Sequence, residues 1–174
     1  MSDLFNVSTN PHVRSKDTTQ TIMRDVLIAL TPASIFGIYN FGLGALLRIV
    51  IGIAVCVAAE GAYQYFMHKK VTISDLSAAV TGLLIALNVP PTLNIGYEIV
   101  GCLFAIIIVK QLFGGLGQNF MNPALGARCF LVLSFAGNMT AFYPTDVSGV
   151  DAATSATPLT SLKNTGDSVA SLAD

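Results

Sequence analysis

The sequence predicts an all-α, polytopic membrane protein with about five transmembrane helices. Of the 174 residues, 53% are hydrophobic and only 11% are charged, whereas soluble domains carry about a quarter charged residues. The apolar residues also gather into five runs, which turn-rich or charged breaks separate. The low charge and the long runs together indicate that lipid surrounds most of the chain.

The predicted spans cover residues 22–41, 43–67, 76–89, 95–113 and 124–142. A helix rises ~1.5 Å per residue, so about 20 residues cross a hydrocarbon core of about 30 Å. The second, fourth and fifth spans meet that length, whereas Pro32 interrupts the first and Pro90-Pro91 ends the third early. The third span is therefore expected to be tilted, broken or re-entrant. Runs that are apolar at every position exclude the alternating strands of a membrane barrel.

Basic residues predict the orientation, because they concentrate in cytoplasmic links. They occur before span one, after span two and around the link between spans four and five, as Arg14, Lys16, Arg24, His68, Lys69, Lys70, Lys110 and Arg128. This alternation predicts a cytoplasmic segment at 1–21, a five-helix transmembrane domain at 22–142 and an extracytoplasmic loop at 143–174. No cleavable signal peptide is expected, because a short basic region does not lead directly into an apolar core.

Composition also excludes some classes of function. A net charge of −1 without a basic cluster excludes a nucleic-acid partner. Cys56, Cys102 and Cys129 are far apart, and each lies in an apolar stretch with no histidine nearby. We interpret them as small hydrophobic residues and predict no metal site, unless another chain supplies ligands.

The polar tail after Phe142 contains the one stretch that suggests covalent chemistry, Asp-Ala-Ala-Thr-Ser-Ala-Thr-Pro-Leu at 151–159. Pro158 favours an extended backbone at Thr157, which presents its hydroxyl oxygen. Ser155 and Ala156 leave room for a modifying enzyme. On composition alone, an ordinary surface loop rich in Ser and Thr is the better interpretation.

Resemblance changes this interpretation. Residues 151–157 resemble the acceptor signal Asp-x-x-[Ser/Thr]-[Gly/Ser]-Ala-Thr of flavin transferases, which esterify FMN through its phosphate to the last Thr. The stretches at 8–14, 81–87 and 110–124 follow the same family in order. Over nearly its full length the chain resembles the family that comprises the D subunit of Rnf electron-transport complexes and the B subunit of Na+-translocating NADH:quinone reductases.

This resemblance implies that Thr157 carries FMN and that Asp151, Thr154, Ser155 and Ala156 belong to the transferase signal. It implies one component, not catalytic alone, of a bacterial inner-membrane complex that exchanges electrons between ferredoxin and NAD+ and translocates Na+ or H+. The implied partners are the A, E and G membrane subunits, the peripheral B and C subunits, the flavin transferase and the lipid bilayer. A second, non-covalent flavin in the transmembrane region stays an open alternative.

The family also implies an architecture like that of urea transporters, with two inverted five-helix repeats in a chain of about twice this length. The sequence would then supply the first repeat and its flavin loop. If the reading frame continues past Asp174, we expect about five more spans in inverted orientation.

Charged residues inside the spans are further candidates. Glu60 lies deep in span two and needs a polar partner, with ion coupling and packing both left open. Arg48 is expected to snorkel to the outer end of the same span. Glu98, Arg128 and Asp25 are interpreted as ordinary charges near span ends.

The glycine-rich stretch at 114–119 matches neither the dinucleotide-binding nor the P-loop pattern. It is predicted to be a tight cytoplasmic turn before Pro123 starts span five, with contact to a second flavin as the weaker alternative.

Two rival functions remain open at this point. Five spans would also suit a urea-like channel, and the acceptor motif could go unused in a structural membrane anchor. A bound flavin discriminates both from an electron carrier.

Overall fold

A computed structural model describes residues 17–69 and 71–140, and within these ranges the chain is helical without any strand. The helices are α1 (Thr19–Phe41), α2 (Leu43–Phe66), α3 (Ser77–Asn88), α4 (Ile95–Leu103), α5 (Pro123–Ser134) and α6 (Ala136–Met139). A 3-10 turn at Ile73–Asp75 precedes α3, and a π-helix at Phe104–Gln111 continues α4. Among the described residues, α1 and α2 are long and apolar enough to cross a membrane. The predicted class, an all-α polytopic membrane protein, is confirmed.

Helix α1 is continuous through Pro32, so the predicted interruption of the first span is wrong. Proline is tolerated in membrane helices when side chains and neighbouring groups satisfy the backbone around it. Here the hydroxyls of Thr31 and Ser34 donate to backbone carbonyls one turn back, at 3.0 and 2.9 Å, beside the carbonyl of Ile28, which loses its helical donor at Pro32. None of the residues of α1 is buried, so this helix presents apolar side chains outward along its whole length.

The third span is short, as predicted, with 12 residues in α3. The helix ends at Asn88 because Val89, which precedes a proline, takes an extended conformation. Most of α3 is buried, which explains how a helix too short to cross a bilayer is accommodated within the protein.

Helices α2 and α3 cross at two glycines, Gly52 and Gly82. A Cβ atom placed on Gly52 would lie 2.9 Å from the carbonyl oxygen of Gly82, and one on Gly82 would lie 2.7 Å from the carbonyl carbon of Gly52. These are backbone atoms, which cannot move away as a flexible side chain would. Small residues therefore set the close approach of the two helices, as at other membrane helix crossings.

We predict that Gly82→Ala destabilises the domain, because the added methyl group forces α2 and α3 apart. Overpacking of this kind costs about 1–3 kcal/mol, which should appear as a lower melting temperature of the purified protein in detergent. Gly44→Ala is the matched control, since a Cβ there meets nothing within 4 Å. Equal melting temperatures of the two variants would contradict the proposed close crossing of α2 and α3.

Side-chain caps define the starts of α4 and α5. Asn94 accepts from the backbone N–H of Gly96, and Asn122 accepts from that of Ala124, with Pro123 at the first helical position. The fourth span is one continuous helix from 95 to 111, called here the fourth-span rod, and it changes from α to π geometry at Phe104.

Within the described residues, the fifth predicted span is not one uninterrupted helix. α5 ends at Ser134, and Phe135 has the non-helical angles φ −132° and ψ 47°. The Phe135 ring instead stacks on Tyr97 of α4, with ring centroids 4.1 Å apart. A tertiary contact between aromatic rings thus accompanies a helix break that hydrophobicity alone does not show.

The glycine-rich link between α4 and α5 is a tight turn, as predicted. Gly114, Gly115 and Gly117 have φ values of 114°, 97° and 85°, which side chains with a Cβ rarely adopt. The N–H of Gly115 donates to the carbonyl of Lys110 at 3.0 Å and so caps the preceding helix.

Candidate functional site

Two buried ion pairs join α2 to the fourth-span rod. Arg48 pairs with Glu98, and Glu60 pairs with Lys110; both pairs join residues fifty positions apart. We call α2 and this fourth-span helix the two rods. The two charged residues of each rod are twelve positions apart, and the order of positive and negative charge is reversed between the rods. A rise of ~1.5 Å per residue separates the two pairs by roughly 18 Å along the rods. The constant offset means that the two rods lie parallel and in register.

At one end, the Arg48 guanidinium lies 3.1 Å from Glu98 Oε2, and both side chains are buried. Its Nη2 donates to the carbonyl oxygens of Pro91, at 2.7 Å, and of Leu93. Arg48 thereby holds the link between α3 and α4 against α2. Glu98 Oε1 has no hydrogen-bond partner among the described residues.

At the other end, the Lys110 ammonium donates to both carboxylate oxygens of Glu60, at 2.8 and 2.9 Å. Its third proton reaches the Ser77 hydroxyl, at 2.6 Å. Gln111 and Gln64 donate to Glu60 Oε1, at 2.8 and 3.3 Å. All three protons of the ammonium are used, and Glu60 has the polar partners that the sequence required.

The Glu60 cluster connects to the end of the domain through two hydrogen-bonded branches. In one branch, Gln64 donates to Thr72 Oγ1 at 2.8 Å. In the other, Ser77 Oγ donates to Asp75 Oδ1 at 2.6 Å. Because Thr72 is exposed and Asp75 half-buried, the buried carboxylate is linked to the surface through polar side chains.

A paired and hydrogen-bonded buried charge can do two things chemically. It can fix the register of the two rods, because either partner left alone would be an uncompensated charge in a low-dielectric interior. It can also serve as an ion or proton site, the default interpretation of an ionisable group inside a membrane.

Three of the sequence interpretations need correction. Arg48 does not snorkel, because only 7% of the residue is exposed and Glu98 binds it. Glu98 is not an interface charge, because it is fully buried. Lys110 is not a charge beside a loop, because it is 1% exposed and neutralises Glu60.

These contacts also change which basic residues support the predicted orientation in the membrane. Lys110 is no free loop charge, and Arg128 extends from the middle of α5 to Asn88, at the end of α3. Within the described residues, Arg24 near the start of α1 and His68 and Lys69 just after α2 are exposed at span ends, and they remain the basis of the predicted orientation.

Cys56 and Cys102 lie in the hydrophobic core, in agreement with their interpretation as small apolar residues, whereas Cys129 is exposed. Among the described residues, no three His, Cys, Asp or Glu side chains come together as metal ligands. The predicted flavin-site residues Asp151, Thr154, Ser155, Ala156 and Thr157 all lie outside the described residues.

Fold and site together define a polytopic helical membrane protein whose parallel rods are joined by buried ion pairs. The sequence model of the NQR2, RnfD, RnfE family matches residues 6–174. The chain belongs to this family.

Several curated relatives are similar over most of the chain. It is 48% identical over 161 residues to the D subunit of the Na(+)-translocating ferredoxin:NAD(+) oxidoreductase complex of Acetobacterium woodii, covering 91% of the chain and 49% of the relative. It is 43% identical over 164 residues to the proton-translocating counterpart of Clostridium ljungdahlii, covering 94% and 50%. Identity is 39% over 140 residues to the D subunit of an ion-translocating oxidoreductase complex of Shewanella pealeana, covering 79% and 40%. The chain spans about half the length, or less, of these relatives.

Proposed function

We propose that this chain carries covalent FMN and forms part of the D subunit of an ion-translocating electron-transport complex. The observation that carries the proposal is the acceptor signal ending at Thr157, in a chain whose family is established by residues 6–174. The flavin supplies the one- and two-electron redox chemistry, while the protein positions it.

The relatives' names support an oxidoreductase complex that moves electrons between ferredoxin and NAD+ and translocates an ion. One relative is named for Na+ and another for protons. We therefore propose the same overall reaction for the complex that contains this chain, with either ion as cargo. The remaining membrane and peripheral components, the A, E, G, B and C subunits, are proposed partners, and the flavin transferase acts during maturation.

We assign two roles to different parts of the chain. The tail beyond residue 142 would bear the flavin, and the membrane domain would supply the Glu60 cluster as a site for ion coupling. Parallel rods held at both ends by ion pairs give that cluster a fixed position. Two inverted repeats, of which this would be the first, are the proposed architecture of the longer protein.

Coexpression with a flavin transferase tests the proposal. The purified protein should be yellow, and its band should fluoresce in a denaturing gel because the bond to flavin is covalent. Coexpression with an inactive transferase is the matched control and should remove the fluorescence. A colourless protein under both conditions would favour the urea-like channel or the structural anchor.

Orientation gives a separate prediction. A reporter that is active only in the cytoplasm should be active when fused after Lys70 and silent when fused after Thr145. Basic residues before span one and after span two are the reason. Activity at both sites, or the reversed pattern, would overturn the proposed topology.

We propose that a second, non-covalent flavin would bind in a cavity among the described residues. Beneath the glycine-rich link lies a cavity of about 440 Å³, lined by Lys110, Ser77, Thr81, Asn119 and Asn122 among apolar side chains. The amide oxygen Asn119 Oδ1 is buried without a described hydrogen-bond partner. It could accept from the imide N–H of a flavin ring. Denaturation should release this flavin to solution while the covalent one remains on the chain.

A further inference from the structure

A second cavity, of about 640 Å³, opens between the last turns of α1, the first turns of α2 and the end of α3. Its volume falls within the range of about 300–1,000 Å³ typical of small-molecule sites. The charged residues of its lining are Arg48 and Arg128, and no carboxylate belongs to the lining. Apolar side chains form most of the rest, including Phe36, Phe41 and Ile49.

The two arginines differ in their charge balance. Arg48 is neutralised by Glu98, at 3.1 Å. Arg128 makes one described hydrogen bond, from Nη1 to the neutral amide oxygen of Asn88, at 2.7 Å. Among the described ion pairs none includes Arg128, so the cavity carries one uncompensated positive charge.

Arg128 is exposed, so its N–H groups that do not bind Asn88 are accessible to a ligand that enters the cavity. Arg128 is the sixth residue of α5, so it lies within the helical body and not in a loop. The planar guanidinium donates in a fork that fits phosphate oxygens with two parallel hydrogen bonds. Its bond to Asn88 fixes one arm and leaves other N–H groups free to bind a ligand.

We propose that this cavity binds a phosphodiester monoanion carried on an apolar body, with Arg128 as its charge partner. One anionic group balances the single excess charge, and the apolar walls accept the attached chain or ring. An anionic phospholipid has this chemistry, and so does an FMN phosphoester tethered to the tail. By the predicted topology the cavity, where α1 ends and α2 begins, lies at the extracytoplasmic end of the membrane domain, at the level of lipid head groups.

Two substitutions test the site, and only one of them alters the arginine itself. Arg128→Gln removes the charge. Asn88→Asp keeps Arg128 but places a carboxylate 2.7 Å from its guanidinium, so the cavity becomes neutral. Arg24→Gln is the matched control, because Arg24 is an exposed arginine on α1 beside Asp25.

Binding is measured by native mass spectrometry of the delipidated complex titrated with phosphatidylglycerol or phosphatidylcholine. Both Arg128→Gln and Asn88→Asp should weaken binding of one phosphatidylglycerol by about ten-fold or more, the scale of a charge-assisted hydrogen bond. Arg24→Gln should bind it like the unsubstituted complex, and phosphatidylcholine should bind all variants alike.

Flavin-free complex, made without transferase activity, separates the two sources. Equal phosphatidylglycerol binding with and without flavin assigns the site to lipid. Binding only in flavin-free complex, with flavin fluorescence altered by Asn88→Asp, assigns it to the tethered flavin phosphate. Phosphatidylglycerol binding and flavin fluorescence unchanged in both variants would overturn the proposal.

Discussion

Lys110→Met is expected to prevent stable assembly of the protein into its complex, because it leaves Glu60 as an unpaired carboxylate in the interior. Removing one partner of a buried pair costs about 3–5 kcal/mol, which is a large share of the stability of a typical domain. The double variant Glu60→Met/Lys110→Met removes both charges and should regain most of the assembled protein. The yield of assembled protein in size-exclusion chromatography measures both results.

The double variant then separates the two roles of the Glu60 cluster. If the cluster serves ion coupling, the assembled double variant should transfer electrons but lose ion uptake into inverted vesicles. Glu60→Gln, which removes the charge but keeps the shape, should likewise lower ion uptake more than electron transfer.

The other ion pair is a matched control on the same two rods. Arg48→Met/Glu98→Met removes a buried pair with the same offset of fifty residues at the opposite end. This variant should keep ion uptake if its pair only holds the helices. Equal ion uptake by the two double variants would assign the Glu60 cluster to packing alone.

Thr157→Val is expected to abolish in-gel flavin fluorescence, because it removes the hydroxyl that forms the phosphoester. Thr160→Val is the matched control and should leave the fluorescence unchanged, since Thr160 neither ends the signal nor precedes a proline. Thr154→Val should weaken modification at most, because that residue belongs to the recognition signal and not to the bond. Fluorescence that persists in Thr157→Val, with the flavin located on another residue, would contradict the assignment.

The sequence predicts the helical membrane class well because a long apolar run has few alternatives in lipid. Prolines predict the ends of these helices less well. Pro90 and Pro91 do end α3, but Pro32 leaves α1 intact because the surrounding structure can satisfy a membrane helix at a proline. The break at Phe135 accompanies ring stacking on Tyr97, a residue 38 positions earlier in the chain. Local hydrophobicity contains no information on such a contact.

Sequence reasoning misses the ion pairs for a related reason. Arg48, Glu98 and Lys110 are each compatible, taken alone, with a position near a span end, where water is close. Glu60 alone predicts a polar partner but does not identify it. The useful signal is joint: Arg48 and Glu60 have the same separation as Glu98 and Lys110, with the signs reversed. Matched spacing of this kind predicts two parallel helices in register and pairs all four residues. By contrast, the charge excess of the cavity could not be predicted, because it depends on Arg128 meeting Asn88 and, among the described residues, no carboxylate.

The central claim, that the chain carries flavin on Thr157, is tested most directly by mass spectrometry of the native complex. Trypsin should release the peptide 129–163, which contains the whole acceptor signal. We predict that this peptide carries one FMN, and that fragmentation places the phosphoester on Thr157. An unmodified peptide from a complex that transfers electrons between ferredoxin and NAD+ at full rate would contradict it.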